Sequence, residues 1–133
     1  MNNEQQFLDE ARKELNQHPL FQKATDESKE WMCQLYAYAR KSHHAGLRAP
    51  GKASIALEPN YVAFENVRAK KLGFYVSLYR EQKAYAGILD ARETAEIQFK
   101  PPRPGQCRVD VTNAKQLESV KRLMDRAWQL KGG

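Results

Sequence analysis

The sequence predicts an α+β domain in two layers: two N-terminal helices, an antiparallel sheet of four to five strands, and one C-terminal helix packed on the sheet. Three observations carry that expectation. Leu72, Phe74, Val76 and Leu78 alternate with Gly73, Tyr75, Ser77 and Tyr79, the period-two pattern of a strand with one apolar face. Leu117, Val120, Leu123, Met124, Ala127 and Trp128 recur at helical spacing and form one apolar stripe near the C-terminus. Helical patterns gather at the two ends and alternating patterns lie between them, so helices and strands are segregated along the chain.

Taken in order, Phe7, Leu8, Ala11 and Leu15 predict a short amphipathic helix over residues 3 to 17, closed by Pro19. Leu20 and Phe21 are then apolar anchors in a loop. Thr25 is the expected N-cap of a second helix from about residue 26 to 44, with Asp26, Glu27 and Glu30 in its first turns and Arg40, Lys41, His43 and His44 in its last. Gly46 occupies the expected left-handed position beyond that helix, followed by Leu47 as its hydrophobic contact. Leu47 to Lys52 reads as loop. Ser54 to Leu57 and Tyr61 to Glu65 read as short strands parted by Glu58-Pro59-Asn60.

Asn66 to Lys71 is a polar, basic connection into the Leu72–Tyr79 strand. Lys83 to Leu89 fits neither period cleanly. Thr94 to Lys100 alternates, with Ala95, Ile97 and Phe99 on one side, and predicts a strand. Pro101-Pro102-Arg103-Pro104-Gly105 is a loop. Cys107, Val109 and Val111 alternate with Arg108 and Asp110, and Thr112 or Asn113 caps the last helix. Trp128 is expected to lie on the sheet against Phe74 or Val76.

A chain of 133 residues fits one domain, 1–133, with residues 1–24 as a peripheral helix and loop. No apolar run has the length of a membrane span and no signal peptide is visible, so no membrane partner is expected. Cys33 and Cys107 read as free thiols in a reducing cytoplasm. The net charge of +6 is unevenly spread: residues 1–30 carry a net −3, residues 31–89 a net +6 and residues 90–133 a net +3. A basic excess that begins mid-chain points to a polyanionic partner, either nucleic acid or an acidic protein surface.

The order Tyr61-Val62-Ala63-Phe64, then Lys70-Lys71-Leu72-Gly73-Phe74-Tyr75-Val76-Ser77-Leu78, then Arg108-Val109-Asp110-Val111-Thr112 and a helix to Leu130 resembles a group of small α+β domains of unknown function. These are found alone or appended to predicted nucleases and transport-annotated proteins. The resemblance covers about residues 54–130 and implies an accessory or binding role. It carries no catalytic residue over to this chain.

The candidate partner-binding residues are Arg68, Lys70, Lys71, Tyr75, Tyr79 and Arg80, with Tyr61 nearby. Cations that track phosphates beside rings that stack bases are what a single-stranded nucleic acid requires. The opposing explanation is that strand tyrosines are half-buried packing residues. Arg48 and Lys52 are the second choice, from a basic run that also holds Arg40, Lys41, His43 and His44; helix-dipole matching accounts for the first residues of that run but not for the last two. Adjacent His43 and His44 diverge by about 100° on a helix, and no zinc spacing occurs, so no metal and no cofactor are expected. Glu65 with Glu81-Gln82-Lys83 permits a metal-dependent nuclease as a third reading. The leading expectation is a non-enzymatic domain acting on nucleic acid or a nucleic-acid-handling complex. The alternative is a protein-interaction or inhibitor factor, for example a mobile-element inhibitor of a host defence enzyme.

Overall fold

Alternation in the middle of the chain builds one six-stranded antiparallel sheet. The computed structural model describes residues 3–59, 61–101 and 103–132, without the side chains of 131 and 132. Its strands are β1 (Gly46–Leu47), β2 (Ser54–Glu58), β3 (Val62–Glu65), β4 (Phe74–Tyr79), β5 (Gln98–Phe99) and β6 (Gln106–Val111), in the order β1-β2-β3-β4-β6-β5. The four longer strands are those the alternation predicts. At one edge β5 keeps two residues of the strand expected over Thr94–Lys100, and at the other β1, too short to show a period, raises the number to six. Asn60 in the expected turn, Pro102 in the proline-rich loop and the terminal Gly133 lie outside the described residues.

Among the described residues, seven helical segments flank or join these strands. Among the described residues the α-helices are α1 (Asn3–Leu15), α2 (Pro19–Gln22), α3 (Asp26–His43), α4 (Ala91–Glu96) and α5 (Leu117–Gly132), with 3-10 turns at Gln82–Tyr85 and Ala114–Gln116. Ile55, Leu57, Val62, Phe64, Phe74, Val76, Leu78, Cys107, Val109 and Val111 point to one side of the sheet and are buried with α3 and α5 in a single core. Phe64 and Phe74 meet edge to face, with centroids 5.4 Å apart. The α+β layout is therefore the one expected, with a C-terminal helix packed against β4.

Several local expectations need correction. The N-terminal segment is not peripheral: Ala11, Leu15 and Phe21 are fully buried, and Leu20 and Phe21 lie on α2 instead of in a loop. His18 caps α2, its Nδ1 accepting from the Leu20 N–H at 3.2 Å. Thr25 caps α3 as expected, but the left-handed residue at the other end is His44 (φ 54°), and Gly46 and Leu47 have already entered β1. Lys83 belongs to the 3-10 turn.

Of the strand expected over Thr94–Lys100, residues 94–96 instead end α4 (Ala91–Glu96), and Gln98–Phe99 pairs as β5. The cause is a reciprocal capping box: the Asp90 carboxylate accepts from Glu93 N–H at 2.8 Å, and Glu93 accepts from Asp90 N–H at 3.1 Å. Leu72, expected on the apolar face, is 50 % exposed. The strand starts only after Gly73, whose φ of 95° breaks the alternation. Asn113 caps the turn that leads into α5, with Gln116 completing the box.

Among the described residues the ring partners of Trp128 are His43 and Tyr61, not Phe74. Trp128 stacks on His43, with centroids 4.4 Å apart and planes 5° from parallel, and meets Tyr61 edge-on at 5.8 Å. One turn away on α5, Asp125 binds the His43 Nε2 at 2.7 Å and accepts from the Tyr38 hydroxyl at 2.7 and 2.9 Å. This cluster joins α3 to α5 at the β3–β4 end of the sheet.

Candidate nucleic-acid interface on the open sheet face

The helices cover one face of the sheet, and strand alternation puts a different set of side chains on the other. Cross-strand register sets them in rows. Ser54, Glu65, Tyr75, Asp110 and Gln98 form one row, and Ala56, Ala63, Ser77 and Arg108 form the next. Tyr79 and Gln106 start a third. Strands are about 4.8 Å apart, so Glu65 and Asp110 flank Tyr75 directly. All these residues except Ser77 keep some exposure, whereas their neighbours on β2, β3, β4 and β6 are mostly buried.

Cations surround Tyr75. Lys71 Nζ lies 5.5 Å from its ring centroid, Lys100 Nζ 5.4 Å and the Arg108 guanidinium carbon 5.5 Å. No carboxylate lies within 4.0 Å of any of the three among the described residues. Two shallow depressions continue across the face. One, of about 450 Å³, is lined by Lys52, Arg68, Tyr75, Arg103, Arg108 and Glu65 among others. The second, of about 260 Å³, includes Arg48, Tyr61, Tyr79, Ser77 and Gln106. The first- and second-choice residues of the sequence thus share one surface: Arg68 and Tyr75 open onto the same depression as Lys52.

Individual placements differ. Lys71 and Tyr75 are in contact as the sequence suggests, and Arg80 sits 5.5 Å from the Tyr79 centroid. Tyr79 and Tyr61 also meet at 5.9 Å, and Tyr79 carbonyl accepts from the Tyr85 hydroxyl. Lys70 and Arg80 have left-handed backbones, with φ of 65° and 78°. Such backbone costs roughly 1–2 kcal/mol for a residue other than glycine. Arg68 donates from Nε to the Asn66 side chain at 2.8 Å, and Arg48 is paired with Glu58 at 2.8 Å.

The rest of the Arg40–Lys52 run serves the fold. Arg40 binds Glu10 at 2.7 Å and Glu14 at 3.2 Å, and Lys41 lies 3.6 Å from Glu4. The bond from Arg40 is the main reason the Glu10 carboxyl titrates below its ordinary range. The acidic N-terminal segment is thereby matched to the basic end of α3, and the sheet face keeps its positive charge.

The residues that sequence reasoning missed are Lys100, Arg103, Arg108, Glu65 as a floor residue, and Asp110. Arg108 and Asp110 alternate with a buried set, so their face was legible; their nearness to Tyr75 depends on β6 pairing with β4 across an intervening segment. Three atoms here are buried without a hydrogen bond among the described residues: Glu65 Oε1, Asp110 Oδ1 and Arg108 Nε. Arg108 does donate from Nη2 to the Pro101 carbonyl at 3.2 Å, and Glu65 Oε1 has the Arg103 guanidinium at 3.6 Å, beyond hydrogen-bond range.

The residues of the nuclease reading do not converge. Glu65 pairs with Tyr75 near the start of β4, while Glu81 lies beyond its other end and Lys83 is in the following 3-10 turn. Among the described residues no group of three or more His, Cys, Asp or Glu side chains is arranged to hold a metal ion. No helix among them is long and apolar enough to cross a membrane. No family model, curated protein or solved structure matches this chain.

Proposed function

We propose that this chain is a non-enzymatic module that binds single-stranded nucleic acid on the open face of its sheet, alone or as part of a nucleic-acid-handling complex. One observation carries the reading: Tyr75 sits at the centre of that face ringed by Lys71, Lys100 and Arg108, three cations with no carboxylate in ion-pair reach among the described residues. Like charges held this close repel one another, and an incoming phosphate chain relieves the repulsion while releasing its own counterions. Arg103, Arg68 and Lys52 extend the positive field toward β2, along the path a backbone would take. Partly exposed Tyr75 and Tyr79 supply ring faces of the kind on which bases stack.

The test is fluorescence anisotropy with a labelled random single strand of about twelve nucleotides, within the span such surfaces occupy. Affinity should fall linearly on a log–log plot against salt, with a slope of about −0.7 for each phosphate contacted. A protein with no affinity for the strand at low salt would exclude this reading and turn the same face toward an acidic protein surface.

A further inference from the structure

The floor of the open face carries polar atoms that hydrogen-bond to nothing among the described residues. Glu65 Oε1 and Asp110 Oδ1 are such acceptors, and Arg108 Nε is such a donor. The register places both carboxylates beside Tyr75, and Arg108 two residues from Asp110 on the same face of β6. That spacing is about 7 Å along the strand. Buried polar atoms left unpaired cost stability, and a fold keeps them where something else supplies the partner.

We infer that this floor selects guanine from the bound strand. The inference rests on the nucleic-acid reading above. Guanine is the base whose two edges match both kinds of orphan. Its N1–H and N2–H₂ donate side by side to one carboxylate, and its O6 and N7 accept from arginine. Cytosine and adenine offer a carboxylate only one exocyclic amino group, and thymine or uracil only a ring N–H. Asp110 lies close to Arg108 in the register, so it is the carboxylate placed to share one base with that arginine. Glu65, on the other side of Tyr75, faces the neighbouring nucleotide.

The cations beside this floor are long side chains able to move. Arg103 is about half exposed and holds Glu65 only at 3.6 Å. Lys71 and Lys100 rest on the Tyr75 ring. All three are long side chains that transfer readily to phosphates, and their departure opens the carboxylates to a base.

The experiment compares thymidine strands of about twelve nucleotides that differ at one central position: guanine, inosine, which lacks the N2 amino group, or 7-deazaguanine, which lacks N7. The guanine strand should bind roughly ten-fold more tightly than the inosine strand. Asp110→Asn should erase that preference, so that the guanine and inosine strands bind alike. Arg108→Lys should erase the preference for guanine over 7-deazaguanine. Equal binding of guanine and inosine strands by the wild-type protein overturns the inference and leaves the nucleic-acid reading standing; failure to bind any strand removes both. The wild-type comparison needs no variant to fold, so the result stands even if Asp110→Asn is unstable.

Discussion

The backbone N–H of Gly73 donates to the hydroxyl of Ser28 at 2.8 Å, joining the basic 66–73 loop to the first turn of α3 across 45 residues of sequence. Ser28 in turn is held by Thr25, whose hydroxyl donates to it at 2.9 Å while capping the helix. The loop that delivers Lys71 to Tyr75 is thus anchored by a helix cap on the opposite side of the sheet. Ser28→Ala leaves a buried N–H without a partner and should cost about 1–3 kcal/mol. Gly73→Ala should cost more, about 3 kcal/mol, because its φ is positive and a Cβ there runs into the Val111 carbonyl oxygen. Urea denaturation of both variants checks the order. A Gly73→Ala protein as stable as the wild type would show that the loop is not seated as described.

Trp128 is only partly buried, and its main partner is the His43 ring. Trp128→Ala should therefore cost about 1–3 kcal/mol, below the range of a fully buried aromatic. His43→Ala should cost less alone, and the double variant should lose less than the two singles summed, since each removes the same stack. Additive losses in a double-mutant cycle would mean that the stacking contributes nothing to stability.

Arg80 permits a separation of folding from binding. Its φ of 78° is strained for arginine and natural for glycine, while its N–H bond to the Gly105 carbonyl at 2.9 Å survives substitution. Arg80→Gly relieves the strain but loosens the unfolded chain, so stability should stay level or rise by up to about 1 kcal/mol. Strand affinity should fall with the lost cation. A clear drop in thermal midpoint would show that the Arg80 side chain over Tyr79 contributes to the fold.

The protein should weaken in alkali earlier than its lysines titrate. Burial raises the Cys33 thiol from an ordinary 9.0 to about 11 and the Cys107 thiol to about 12. Burial likewise pushes the Tyr36 and Tyr85 phenols up, with the Glu14 hydrogen bond adding to the first. All four groups hold their protons longer when folded, so above about pH 9 the unfolded state binds fewer protons and stability falls as pH rises. Denaturation midpoints measured from pH 8 upward should decline, and Cys107→Ser should change the slope only if the hydroxyl is tolerated in the core. The same burial predicts that a thiol reagent labels neither cysteine until the chain unfolds.

The β2, β3, β4 and β6 strands and the long helices were legible because each has a face wholly in the core, and burial imposes period two or 3.6 on its sequence. β1 was not, since two residues carry no period, while β5 keeps two residues of the strand expected over Thr94–Lys100. α4 was misread because Ala95, Ile97 and Phe99 alternate across a helix end, and the decisive signal was the Asp90–Glu93 box rather than the apolar pattern. For the site, one strand disclosed Tyr75 and Tyr79, and the adjoining loop disclosed Lys71. The remaining cations come from β6 and its approach, which local sequence cannot place beside β4. Charge totals hinted at the asymmetry but not its cause: acids of α1 pair with α3, Glu10 with Arg40 at 2.7 Å and Glu14 with Arg40 at 3.2 Å.

The charge ring around Tyr75 gives the most direct test of the working surface. Lys71 and Lys100 lie on opposite sides in sequence, one in the loop before β4 and one after β5, yet both approach the same ring within 5.5 Å. If both contact phosphates, Lys71→Ala with Lys100→Ala should lower the magnitude of the salt slope by about 1.4, two contacts at about 0.7 each. Neither lysine is ion-paired among the described residues, so the fold should lose little. Lys41→Ala is the matched control: it removes one positive charge from the helical side, near Glu4, and should leave the slope unchanged. Tyr75→Ala should behave differently from both, reducing affinity by about 1–3 kcal/mol at every salt concentration with the slope preserved, because stacking releases no counterions. A slope that falls equally for Lys41→Ala and for the double variant would mean that net charge alone governs binding and that the open face has no privileged role. A Tyr75→Ala protein that melts far below the wild type would instead make this ring a packing residue, with the three cations held around it for the fold's sake.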